Sequence, residues 1–148
     1  MAISKTELEN SLREFDADFL RAELENRPAF IRKIQRMLYH HDEPVRVGAA
    51  RAFGLAAEVF ETERMKDMIR QLVWMINEES GNNCWYAPHA LGEIGKVRPD
   101  YLRDFIPCLM EFYKYPNSGI KRGLEYAFRC FTEAGLEVPA LSDDPAAD

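Results

Sequence analysis

The sequence predicts an all-α fold: an α-solenoid of three antiparallel helix hairpins preceded by one N-terminal helix. Two observations carry this. A segment recurs three times with its small and apolar positions in register: DEPVRVGAARAFGLAAE from Asp42, SGNNCWYAPHALGEIGK from Ser80 and NSGIKRGLEYAFRCFTE from Asn117. Aligning Ala52, Ala90 and Ala127 gives steps of 38 and 37 residues, within the period range of stacked helix hairpins. Around these segments, apolar residues return at spacings of three and four, the signature of helices with one buried face.

The elements follow in order. Leu8, Leu12, Phe15 and Phe19 form an apolar stripe between acidic faces and predict a helix at about residues 5–25. Asn26, Arg27 and Pro28 interrupt it, and Phe30, Ile34, Met37 and Leu38 restart the period. After the turn HHDEP, Asp42 is placed to cap the next helix, with Pro44 in its first turn. Val45, Ala49, Ala52, Phe53 and Ala56 make its buried stripe, while Gly48, Ala49, Ala52 and Gly54 let a neighbouring helix approach closely. This gives a first hairpin at about 28–60.

The second hairpin, at about 62–97, buries Met65, Met68, Ile69, Leu72 and Met75, then Ala87, Ala90, Leu91 and Ile94. The third, at about 99–134, buries Leu102, Phe105, Ile106, Leu109 and Phe112, then Ile120, Leu124, Ala127, Phe128 and Phe131. Pro107 falls in the middle of the run from Leu102 to Phe112, so that helix should bend or break near Arg103 to Pro107. One domain therefore spans 1–135, and residues 136–148 form an acidic tail without periodicity whose structured part ends near Leu141.

Composition narrows the function classes. With 148 residues and 47% apolar content, the chain is long and apolar enough for one core. No apolar run is long enough to span a bilayer and the N-terminus lacks signal-peptide grammar, so a cytoplasmic protein with no membrane partner is expected. Cys84, Cys108 and Cys130 are odd in number and widely spaced, which points to free thiols. The net charge of −6 disfavours bulk nucleic-acid binding, although Arg46, Arg51, Lys121, Arg122 and Arg129 fall on the recurring helices.

The segment DEPVRVGAARAFGLAA, an acidic turn followed by a Val-Arg pair, an alanine pair and a small apolar ending, resembles the short HEAT-like repeats of phycobilin lyases and bacterial HEAT-like proteins. The resemblance covers roughly residues 28–135. The second copy keeps ALGEI but has Asn83-Cys84 for Val-Arg, and the third keeps Ile120-Lys121 with bulkier residues. The resemblance implies a curved right-handed stack with the second helix of each hairpin on the concave side. Such an architecture serves mainly to bind other macromolecules and fixes no single activity. Three repeats sit at the lower limit for a stable stack, so exposed ends invite self-association or cover by a partner.

The copies differ most in the second, where EESGNNCWYAP replaces a plain turn. The Pro88 ring would clash with a helical Cys84 carbonyl, so the helix should start near Tyr86 or Ala87, leaving Gly81 to Trp85 as an irregular turn. His89 and Glu93 then share a face, with Trp85 one turn earlier. In the alignment His89 matches Arg51 and Tyr126, and Trp85 matches Val47 and Arg122. The expected binding strip is therefore Arg51, Trp85, Tyr86, His89, Glu93, Arg122, Tyr126 and Arg129, aromatic and arginine types enriched at binding hot spots.

The leading expectation is a non-catalytic interaction module that holds a protein or peptide against this strip, with no cofactor, no metal and no catalytic residue. The alternative is a small-ligand, tetrapyrrole or metal site around Cys84, Trp85, His89 and Glu93, in which a Cys84 of lowered pKa near a helix N-terminus acts as nucleophile or attachment aid. Bilin-lyase chemistry is the enzyme class the resemblance suggests. Neither Cys84, His89 and Glu93 nor His40, His41 and Asp42 has zinc-motif spacing, and no phosphate loop or GxSxG elbow occurs. The bland readings are that Trp85 and Tyr86 seal the stack, Glu93 pairs locally, and His89 is an ordinary hydrogen-bonded histidine.

Overall fold

The structure, a computed structural model, describes residues 3–76, 84–114 and 118–141. Among these the chain is all-helical, with eight α-helices and no strand. They are α1 Lys5–Glu14, α2 Ala17–Asn26, α3 Ile31–Met37, α4 Glu43–Val59, α5 Thr62–Ile76, α6 Ala87–Val97, α7 Ile106–Tyr113 and α8 Ser118–Glu133.

The expected N-terminal helix is two helices. Ser4 and Glu7 form a reciprocal capping box that starts α1. Phe15 ends it in the left-handed region at φ 49°, and the Asp16 side chain accepts from the Phe19 N–H to start α2. The apolar stripe runs through the corner unbroken, so periodicity alone reads the two pieces as one. Leu8, Leu12, Leu20 and Leu24 are all fully buried.

Asp42 occupies the N-cap position of α4, but its carboxylate does not cap. It accepts two hydrogen bonds from the Arg13 guanidinium, at 2.9 and 3.0 Å, and so ties α1 to the start of α4. Beside it, the Asp42 N–H donates to His40 Nδ1, leaving the ring proton on Nε2 to reach Glu9. The His40 bond holds the Glu9 carboxyl below the usual range.

Pro107 also sits differently from the expectation. Two 3-10 turns, Pro99–Tyr101 and Arg103–Phe105, precede α7, and Pro107 lies in its first turn, where the missing N–H costs nothing. The chain breaks at the expected place, and the proline begins a helix instead of kinking one. Beyond α8, packing continues past residue 135: Leu136 is buried and Val138 packs on the core. The acidic tail from residue 142 onward, like Gly81 to Asn83 of the expected irregular turn, lies outside the described residues.

Helices α4, α6 and α8 lie side by side in chain order, α4 against α6 and α6 against α8, with α5 packed on α6, α7 on α8, and α1, α2 and α3 all on α4. Small residues permit this. A Cβ at Gly48 would lie 2.0 Å from the Leu12 carbonyl oxygen, so α1 and α4 cross nearly backbone to backbone. At Gly54 a Cβ would lie 3.3 Å from the Glu93 carbonyl oxygen, which seats α6 against α4 and sets the position of Glu93.

Candidate functional site

The approach to α6 is built from a buried anchor outward. The Cys84 N–H donates to the Met75 carbonyl at 3.2 Å, and its thiol packs 3.9 Å from the Leu38 carbonyl. Cys84 is 1% exposed, and burial pushes its thiol up to about 11. The expected lowered pKa is therefore corrected: burial outweighs the nearby helix N-terminus, and Cys84 is a core residue that holds the turn. From this anchor α6 begins at Ala87, with Pro88 in its first turn.

Trp85 turns outward, 53% exposed, yet one face of its indole rests on α8. A Cβ at Gly119 would lie 2.5 Å from Trp85 Cδ2, and one at Gly123 would lie 2.9 Å from the Trp85 carbonyl. Two glycines one turn apart thus form the seat on which the Trp85–Pro88 turn rests. Trp85 bridges the start of α6 and the face of α8, and it does not line the cleft described next.

That cleft, about 300 Å³, is lined by Val47, Ala50 and Arg51 of α4, by Tyr86, by His89, Glu93 and Lys96 of α6, and by Tyr126 of α8. Five residues of the expected strip converge here: Arg51, Tyr86, His89, Glu93 and Tyr126. Arg122 is exposed elsewhere on α8. The Arg129 guanidinium lies 5.9 Å from the Tyr126 ring centroid and lines a neighbouring depression. Lys96 was missed, although it is the i+3 neighbour of Glu93 on the same helix face.

The centre of the cleft is a three-ring stack. His89 lies between Tyr86, at 4.5 Å and 19°, and Tyr126, at 5.0 Å and 24°. Its Nδ1 is buried with no hydrogen-bond partner among the described residues. Burial lowers the His89 pKa, with partial opposition from the Trp85 carbonyl, Glu93 and Glu43, so the ring is neutral at physiological pH.

A charged lock closes the far end. The Tyr126 hydroxyl donates to the Glu93 carboxylate, and Lys96 Nζ lies 2.9 Å from both the Glu93 carboxylate and the Tyr126 hydroxyl. Burial first, and Glu93 second, push the Tyr126 phenol up to about 12. Burial acts to lower the Lys96 pKa, but the bonds to Glu93 and Tyr126 outweigh it and hold the ammonium well above its usual value.

The near end carries cations on aromatic faces: Arg46 lies 5.0 Å from the Tyr86 ring centroid and Arg51 3.9 Å from that of Phe15. With Glu93 neutralised by Lys96, the cleft presents an aromatic floor and an arginine edge. Among the described residues, no three His, Cys, Asp or Glu side chains come together to hold a metal, so neither cluster weighed from the sequence forms such a site. No described helix is long and apolar enough to cross a membrane.

Comparison with known proteins gives little to place beside this geometry. No protein-family model and no solved structure matches the chain. A curated protein of Archaeoglobus fulgidus, itself described as uncharacterised, is 34% identical over 73 residues, which cover 49% of this chain and 38% of that relative. The chain thus spans well under half the length of that relative.

Proposed function

We propose that the protein is a non-catalytic, HEAT-like interaction module that binds a segment of another protein along the face formed by α4, α6 and α8. The observation that carries this reading is the Tyr86–His89–Tyr126 stack, which lines an open cleft with Arg51 at its edge. The order of packing, in which the second helices of successive hairpins are neighbours, supports the repeat reading. A cleft of about 300 Å³ suits one apolar or aromatic side chain of a bound segment, and Arg51 suits a carboxylate beside it.

The chromophore or metal reading has lost support. Cys84 is buried with a thiol pKa of about 11, and Trp85 is seated on Gly119, so neither joins His89 and Glu93 in one pocket.

Selection from a displayed library of random peptides tests the proposal. Peptides enriched on the wild-type chain should carry an aromatic or large aliphatic residue next to Asp or Glu. They should lose at least about tenfold in affinity on Tyr86→Ala or Arg51→Glu. Enrichment of no peptide, or of peptides indifferent to both substitutions, would defeat the reading.

A further inference from the structure

A second pair of clefts lies on other elements, around α3. The larger, about 650 Å³, is lined by Ile3, Ser4, Lys5, Leu8, Lys33, Arg36, Met37, Tyr39, His40 and His41. The next, about 430 Å³, runs between α3 and α5 and is lined by Arg32, Gln35, Arg36, Tyr39, Gln71, Trp74 and Met75. Arg36 and Tyr39 border both. Among the described residues neither cleft has a carboxylate in its lining, although the chain carries 25 acidic residues against 19 basic ones. Carboxylates lie at the edges: Glu7 and Glu9 are bonded to Ser4 and His40 at one end, and Glu61, Glu63 and Asp67 line the adjoining depression beyond Arg32 at the other.

Among the described residues Arg32, Lys33 and Arg36 carry no ion pair, whereas Arg13, Arg21, Arg46 and Arg70 each do, and the Trp74 indole is exposed. Arg32 and Arg36 lie one turn apart on α3, so their guanidinium groups share a face, with Lys33 on the flank toward the larger cleft. Trp74 is 64% exposed and Tyr39 42%, and both border the smaller cleft with Arg32 and Arg36. Both His40 nitrogens are already engaged, and His41 stacks on it at 4.3 Å, so the histidines contribute ring surface at the rim.

Guanidinium groups match phosphate oxygens in geometry and charge, and an open indole offers a face to a planar ring. A simple inorganic anion would leave Trp74 unused, and an apolar ligand would leave three cations unneutralised. We propose that the Arg32–Arg36–Tyr39–Trp74 surface binds a nucleotide, with its phosphate on Arg32, Lys33 and Arg36 and its base against Trp74. This site is separate from the cleft on α4, α6 and α8, so either proposal can fail without the other.

The chain has two tryptophans, and Trp85→Phe leaves Trp74 as the sole indole reporter. Titration of this variant with adenosine monophosphate, a 5′-phosphorylated adenine tetranucleotide and inorganic phosphate should give saturable quenching by the first two. Calorimetry on the unaltered chain should give the same affinities. Binding should weaken at least tenfold in Arg32→Glu/Arg36→Glu and by a smaller factor in the milder Arg36→Gln, and should be unchanged in Arg103→Glu. Tighter binding of the tetranucleotide would identify a strand end as the ligand, and equal binding would identify the free nucleotide. The proposal is overturned if neither nucleotide saturates the protein, if inorganic phosphate binds as tightly as adenosine monophosphate, or if the arginine variants bind normally.

Discussion

The Tyr126 hydroxyl on α8 donates its hydrogen bond to the Glu93 carboxylate on α6, and Lys96 binds both groups. This contact ties α6 to α8 at the point where the cleft ends. Tyr126→Phe keeps the ring stack and removes the hydroxyl, and Lys96 remains to satisfy Glu93. The expected cost is therefore that of one partly exposed hydrogen bond, about 1 kcal/mol, read as a shift of the urea midpoint without change in slope.

Acid should weaken the fold through His89. Its folded-state pKa lies below the unfolded value of about 6.5, so the unfolded chain takes up the proton first as pH falls. His89 is neutral and costs nothing at pH 7, and stability declines as pH drops through and below 6.5. Urea unfolding at pH 7 and pH 5 should show a smaller loss in His89→Asn than in the wild type. An equal loss in both would assign the acid sensitivity to other groups.

Thiol reactivity should separate the three cysteines. Burial raises all three thiols, so access separates them: Cys108 is exposed, while Cys84 and Cys130 are buried. A thiol-exchange reagent at pH 8 should label one site quickly in the native chain and three in denaturant. Cys108→Ser should remove the fast phase. A fast phase at Cys84 would contradict its role as the buried anchor of the Trp85 turn.

Gly48→Ala puts helix propensity against packing. Propensity alone favours alanine by about 1 kcal/mol in a helix interior. The added Cβ, however, would lie 2.0 Å from the Leu12 carbonyl oxygen, which is backbone and cannot rotate away. Packing should win, with a net loss of about 2 kcal/mol or more and the largest increase in amide exchange in α1.

What the sequence made legible follows from which forces act locally. The buried stripes were readable because burial imposes helical periodicity: Val45, Ala49, Ala52, Phe53 and Ala56 are all buried, as are Leu124, Ala127 and Phe131. The corner at Phe15 was not, because Leu12, Phe15 and Phe19 keep the period while the Asp16 cap redirects the backbone. At the site, the alignment brought His89 and Tyr126 to one column, and they stack. It also put Trp85 in the same strip, but its ring is drawn aside by Gly119, a position on α8 distant in sequence. The burial of Cys84 depends likewise on Met75 and Leu38, distant in sequence, which no local pattern reveals.

The central claim is that the cleft between α4, α6 and α8 is the surface that grips a partner. Amide chemical-shift mapping with a peptide taken from the displayed library tests it most directly. The account predicts saturable shifts concentrated at Val47, Ala50, Arg51, Tyr86, His89, Glu93, Lys96 and Tyr126, the residues that line the cleft. Saturable shifts centred on another face, with these residues unmoved, would contradict it.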